Sequence, residues 1–365
     1  MNAITPRLFI AATEQNAGKT TTSLGLYAAL RKDFPKIGFI KPVGQHFVDV
    51  GGHRIDEDSV LIRDTFGTEV PIEDMSPIAV EPQFTRRYIN HADADSLVHR
   101  IAHSFDRAAW EKDFAIIEGT GHAGVGSVFD LSNARVARIV KSKVLLVTGA
   151  GIGRPIDEAA LNKALFDQEK VEIIGVIMNK VLPDRMESIA DIARRGFERL
   201  GLELLGMIPR ERMLSQPTLE QICGKIHGRF LHGAEQGRKR IHKAIIGAKR
   251  SKNLLADVEP ESLLIIPGDR EETIAAVIER SMQSDRGPIC GVVFSDGLPP
   301  SEALLALIAR SRLPVISSRH DSYIIASSIH SMTVKTLPGD TEKIERIQRL
   351  VSTHVNIPRI LEKIG

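Results

Sequence analysis

Six short apolar runs punctuate the first 210 residues: Leu8–Ala12, Ile37–Lys41, Phe114–Glu118, Val144–Thr148, Ile173–Asn179 and Leu204–Ile208. Most are unbroken rather than alternating, the pattern of strands covered on both faces. Helical periodicity fills much of the space between them, over Thr20–Arg31, Ala94–Trp110, Pro155–Phe166 and Arg185–Leu200. This alternation predicts a parallel sheet with helices on both sides. Pro209-Arg210 closes the unit, and Thr218-Leu219-Glu220-Gln221 reads as a helix capping box. The segment from Gly224 to Lys252 is rich in glycine and basic residues. Beyond it the pattern repeats: strand Leu263–Ile266, helix Glu271–Arg280, strand Ile289–Phe294, helix Ser301–Arg310, strand Val315–Ser317 and helix Tyr323–His330. A chain of 365 residues is long for one core. The expectation is an α/β protein of two domains, 1–210 and a smaller one over 211–365.

The first run carries the sharpest chemistry. It enters Thr13-Glu14-Gln15-Asn16-Ala17-Gly18-Lys19-Thr20 and a helix follows. A strand, a glycine–lysine–threonine turn and a helix together cradle a nucleotide triphosphate. Backbone N–H groups converge on phosphate oxygens, and the positive end of the helix adds attraction. Lys19 would reach the β- and γ-phosphates, and the Thr20 hydroxyl would coordinate Mg²⁺. The first glycine of the usual pattern is replaced by Thr13. The candidate nucleotide-binding residues of this turn are Thr13, Glu14, Asn16, Ala17, Gly18, Lys19, Thr20 and Thr21.

Ligands of parallel α/β sheets sit beyond the carboxyl ends of the strands. Lys41, before Pro42 at the end of the second run, either neutralises a transferring phosphoryl group, anchors a carboxylate, or is an ordinary surface lysine. Asp58, in Ile55-Asp56-Glu57-Asp58, is either a helix-start carboxylate or a Mg²⁺ ligand, whereas Asp56 and Glu57 lean to capping. Glu118, ending an apolar strand before Gly119-Thr120-Gly121, is the expected acidic partner of a phosphate loop. Asn179 could read an adenine edge or simply turn the chain. Arg154, after the fourth run, could reach an anion.

Composition closes off other classes. The net charge of +2 makes no general case for nucleic acid or anionic membrane as a partner. The basic stretch Gly237–Lys243, with Lys249, Arg250 and Lys252, lacks interleaved aromatics and reads as a solvated loop or interface. Cys223 and Cys290 are far apart and indicate neither a disulfide nor a cysteine metal site. No apolar run approaches the ~20 residues of a membrane span, and the expected address is cytoplasmic.

The run Phe9–Thr20, Lys41-Pro42-Val43, Asp58, Glu118-Gly119-Thr120-Gly121 and Asn179, in that order, resembles dethiobiotin synthetase and its relatives among the phosphate-loop ATPases. The resemblance implies ATP and Mg²⁺ as cofactors, with Thr20, Asp58 and Glu118 as metal ligands. Lys19 and Lys41 would be catalytic, and Asn179 would hold adenine. With Gln45 closing Lys41-Pro42-Val43-Gly44-Gln45, the chain more closely resembles the amino-terminal module of long phosphotransacetylases. There a domain named for an Asp-Arg-Thr-Gly-Gly signature follows; here Pro267-Gly268-Asp269-Arg270-Glu271-Glu272 keeps only its Asp-Arg part. Asp321-Ser322-Tyr323 and Pro338–Ile344 add to the match. The acetyltransferase domain of those enzymes is not in this sequence, so phosphate acetyltransfer is not expected. True dethiobiotin synthesis is disfavoured because Gln45 stands where that enzyme carries serine, and because of the added domain.

The resemblance leaves a regulatory ATP-binding protein first and an ATP-dependent ligase or synthetase second. The expected partners are a nucleotide and either a small carboxylate or amine substrate or a protein. The resembled enzymes imply a homodimer or higher homo-oligomer. A partitioning-type ATPase ranks last, because Glu14 occupies the place of its signature lysine.

Overall fold

The computed structural model describes residues 4–249, 251–256, 258–283 and 289–365, and two compact units. The first runs to Glu211 and takes back Thr336–Gly365; the second is Arg212–Lys335. Arg250, in the basic stretch read from sequence, lies outside the described residues, as does the side chain of Lys252.

The first unit is built on six parallel strands, β1 (Arg7–Ala12), β2 (Ile37–Ile40), β3 (Phe114–Glu118), β4 (Lys143–Thr148), β5 (Ile173–Val181) and β6 (Leu204–Pro209), in the order 6-5-4-1-3-2. Every residue of β1, β2 and β3 is buried, as unbroken apolar runs require. Register brings the chemistry together. Ile10 of β1 pairs with Glu118 of β3, and Ile40 with Ile117, so three strand tips end side by side. Unlike the expected strand, β5 runs on to Val181, and Asn179 lies inside it because pairing with β6 continues to Pro209. A hairpin absent from the sequence reading, Phe47–Val50 with His53–Asp56, turns through Gly51-Gly52 and leads into helix Glu57–Phe66.

The carboxyl-terminal residues depart from the expected division, which gave them to the second domain. Helix Thr341–His354 packs on helix Lys19–Leu30, and Gly25 makes the approach possible. A Cβ there would sit 2.3 Å from a Val351 methyl. Asn356 N–H donates to the Leu205 carbonyl at 2.8 Å, and Glu203 accepts from Arg359 and pairs with Lys363. No local pattern near residue 336 announces this return, since the partners that hold it, Gly25, Glu203 and Leu205, lie more than 130 residues away. Gly25→Ala is expected to destabilise the protein by about 1–2 kcal/mol, overpacking outweighing alanine's better helix propensity. Denaturant unfolding measures this.

The second unit is a five-stranded sheet, β7 (Arg229–His232), β8 (Lys243–Ile246), β9 (Ser262–Pro267), β10 (Ile289–Ser295) and β11 (Val315–Ser317), in the order 7-11-10-9-8. All neighbours are parallel except β7 on β11. Both β7 and β8 fall in the segment read as glycine-rich and basic, where half-buried edge strands leave little apolar signal. The capping box at Thr218 forms with both reciprocal hydrogen bonds, at 3.0 and 3.2 Å. Among the described residues no helix is long and apolar enough to cross a membrane.

Candidate functional site

The turn after β1 is shaped by backbone conformation. Asn16 and Gly18 take positive φ, 64° and 115°, before helix Lys19–Leu30 begins. Gly18 also has no room for a side chain, because a Cβ would lie 1.9 Å from the Asn179 amide nitrogen. Asn179 Nδ2 donates to the Ala17 carbonyl at 2.8 Å and Lys180 Nζ to the Asn16 carbonyl at 2.7 Å. The end of β5 thus holds the loop by two consecutive carbonyls. Thr13, where the usual pattern has glycine, is buried, its hydroxyl 3.2 Å from that of Thr148 and 3.3 Å from Glu158. Thr21 is half-buried on the first helical turn.

Across from this loop, five expected site residues meet. Lys19 Nζ donates to the Gly121 carbonyl at 2.9 Å, spanning the space between the turns after β1 and β3. The Thr20 hydroxyl donates to Glu118 Oε1 at 2.9 Å. Lys41, just beyond β2, is buried and lies 3.3 Å from the same oxygen. Its ammonium is also bonded to Asp58 and stands 3.2 Å from Asp56. The alternative of a surface lysine at a strand end is therefore wrong. Asp56 caps helix Glu57–Phe66, accepting from Asp58 N–H, and at the same time faces Lys41. The sequence reading had only the first of these roles.

Three carboxylates around one ammonium leave excess negative charge in a buried place. Burial pushes the Glu118 carboxyl up to about 7, Lys41 pulling it down and Asp58 adding to the push. Burial raises Asp56 as well, against the pull of Lys41. Burial opposes the charge on Lys41, yet Asp58, Glu118 and Asp56 together hold it well above the ordinary lysine value. Lys19 is drawn down to about 8, chiefly by burial, with Glu118 opposing and Lys41 reinforcing.

Asparagines that the sequence reading did not single out lace the loops together. Asn133 accepts from Thr120 N–H at 3.0 Å and donates to the Thr120 and His122 carbonyls at 2.6 Å each. Asn162 accepts from Ala123 N–H at 2.7 Å and donates to the Thr13 carbonyl at 3.2 Å. The Thr120 hydroxyl donates to the Val43 carbonyl, tying in the turn after β2. Nothing local marks these residues, because the partners that tie the loops together come from other elements; the Asn162 amide also donates to the Glu158 carbonyl of its own helix at 2.8 Å. Two expected residues face elsewhere. Glu14 pairs with Arg154 at 2.9 Å, and Arg154 also reaches Glu158 at 2.5 Å. The Arg154 guanidinium is thus taken up by carboxylates rather than held free for an anion.

Among the described residues no group of three or more His, Cys, Asp or Glu side chains is arranged to hold a metal unaided. The Thr20 hydroxyl with Asp58 and Glu118 is nonetheless a hard-oxygen set of the kind Mg²⁺ takes, completed by phosphate and water. The Glu118 carboxyl is fully buried, with the Thr20 and Ser23 hydroxyls beside it. The residues fit the ion.

A parallel sheet with a lysine–threonine phosphate loop and an acidic strand tip beside it defines a phosphate-loop NTPase-like domain, followed by a smaller α/β domain. Comparison with known families agrees. The profile of the AAA domain matches residues 6–218, and the chain belongs to that family. The profile of the DRTGG domain matches residues 221–332. Among curated proteins, the phosphate acetyltransferase of Pseudomonas aeruginosa is 27% identical over 98% of this chain and 52% of its own length. That of Nitrosomonas europaea is 25% identical over 98% and 51%. The chain therefore spans about half the length of the curated relatives it matches. Among solved structures, the MinC:MinD cell division complex of Aquifex aeolicus covers 57% of this chain and 83% of its own at 17% identity and a TM-score of 0.36. The CBS and DRTGG domains of the Clostridium perfringens pyrophosphatase regulatory region, complexed with diadenosine tetraphosphate, cover 49% and 86% at 15% identity and a TM-score of 0.28.

Proposed function

We propose that the first unit binds Mg·ATP and that the chain is a nucleotide-sensing, regulatory protein, its DRTGG domain passing nucleotide state to a protein partner or to a second copy. One observation carries this reading: Lys19, Thr20, Lys41, Asp58 and Glu118 meet at the carboxyl edge of β1, β2 and β3. Lys19 and the loop N–H groups would take the β- and γ-phosphates, and Thr20, Asp58 and Glu118 would hold Mg²⁺. The ion would supply charge neutralisation at the phosphates. Asn179, already bonded to the loop, would stand beside the base.

A second reading has its own support. A buried lysine just beyond a strand tip is more than phosphate binding needs, and it suits an ATP-dependent synthetase that phosphorylates a carboxylate or carbamate. Calorimetry with Mg·ATP, together with ADP release measured alone and with candidate carboxylates and diamines, separates the two. Tight binding with no substrate-stimulated turnover is the expected result. Stimulated ADP release abolished by Lys19→Ala and by Glu118→Gln would establish the synthetase instead. No binding at all would end both readings.

A further inference from the structure

We infer that Lys41 is the resident counter-ion of a carboxylate nest made by Asp56, Asp58 and Glu118, and that a divalent cation must displace its ammonium to enter. The identity of the cation as Mg²⁺ rests on the Mg·ATP reading above. The competition itself rests on the geometry of this chain.

The Lys41 ammonium bonds Asp58 and lies 3.2 Å from Asp56 and 3.3 Å from Glu118 Oε1. Glu118 Oε1 already accepts from the Thr20 hydroxyl at 2.9 Å. The oxygens that suit a divalent cation are therefore the ones the lysine occupies. An ammonium and a divalent ion sharing these carboxylates would repel strongly in so buried a place. Three carboxylates left without a cation are equally unfavourable, because unpaired buried charge is costly. The nest is stable with one cation of either kind. Phosphate oxygens are the natural acceptors for the ammonium once it is displaced, so the ion and the phosphates enter together and Lys41 is delivered to the nucleotide. Asp56 has a part in this beyond capping its helix, since it supplies the third negative charge that holds the lysine in place.

The test is a thermal unfolding titration of nucleotide-free protein with MgCl₂, comparing wild type, Lys41→Met and Lys41→Arg. Lys41→Met is expected to gain about 5–10 °C in Tm at millimolar Mg²⁺. Wild type and Lys41→Arg, which keep a cation in the nest, are expected to move little. By calorimetry Lys41→Met should bind Mg²⁺ at least about tenfold more tightly than wild type, the scale of removing one competing charge. If Lys41→Met cannot be isolated folded, the same titration is read on Lys41→Met/Asp56→Asn, which carries one buried charge fewer. An equal response of wild type and the Lys41 variant to Mg²⁺ would overturn the inference. Failure of wild type to bind Mg·ATP, with the variant still responding to Mg²⁺, would overturn the nucleotide reading and leave the competition standing.

Discussion

Replacing Lys41 by methionine is expected to destabilise the metal-free protein by about 3–5 kcal/mol, the cost of leaving buried charge without its partner. Methionine keeps much of the volume, so the loss is electrostatic rather than a cavity effect. Lys41 is 7% exposed and Glu118 fully buried, and water cannot screen the carboxylates left behind. The loss should depend on pH in a defined sense. A carboxyl group whose pKa is raised by folding binds its proton more tightly in the native than in the unfolded state. Its contribution is present below the unfolded value and disappears as pH rises through the folded one. For Glu118 in the wild type that window runs from the ordinary 4.5 to about 7. Wild-type stability should therefore fall over this range in the absence of divalent cation. In Lys41→Met the pull of the ammonium is gone, the carboxyl values rise further, and the deficit is larger at pH 8 than at pH 5. Denaturant midpoints at the two pH values measure it; a deficit independent of pH would mean that Lys41 contributes by packing alone.

The second large effect concerns the nucleotide. Lys19→Ala is expected to weaken ATP binding by ~1.5–3 kcal/mol, the scale of a charge-assisted hydrogen bond. The wild-type lysine sits near 8 because burial disfavours its charge, so it is increasingly neutral as pH rises above that value. Phosphate binds the charged form, and binding at higher pH must then take up a proton. Affinity should accordingly fall above pH 8, by up to about tenfold per pH unit, and this slope should vanish in Lys19→Ala. Calorimetry in buffers of different ionisation enthalpy reads both the affinity and the proton uptake. Unchanged affinity in the variant would remove Lys19 from the phosphate site.

The structure divides the candidate site residues into those a sequence can announce and those it cannot. Lys19 and Thr20 are announced because their whole pattern is contiguous: an apolar strand, a turn with glycine, and a helix. Glu118 is announced by its place at the tip of an apolar run. Lys41 and Asp58 remain ambiguous in sequence, since a lysine before proline and an acid at a helix start both have ordinary structural uses. Only the side-by-side ending of β1, β2 and β3 turns them into one bonded network. Asn133 and Asn162 carry no signal for their place beside the site, because the hydrogen bonds that tie the loops go to backbone groups of other segments, while the one local bond, from Asn162 to the Glu158 carbonyl, is ordinary within a helix. The double role of Asp56 is hidden for a related reason, as its capping bond is local and its contact with Lys41 is not.

The same divide holds for the fold. Local pattern by itself determined much of the strand–helix alternation, the parallel class of the first sheet and the phosphate loop, because these follow from residues close together in the chain. Tertiary structure alone decided the strand order 6-5-4-1-3-2, the antiparallel edge strand β7 and the return of Thr336–Gly365 to the first unit. Those outcomes depend on which buried surfaces fit one another across the chain, as the Val351 side chain fits the gap left by Gly25. Local sequence sets what each segment can become. The choice of neighbour is made by packing and by buried charge, at Lys41 above all, and neither can be read from one segment alone.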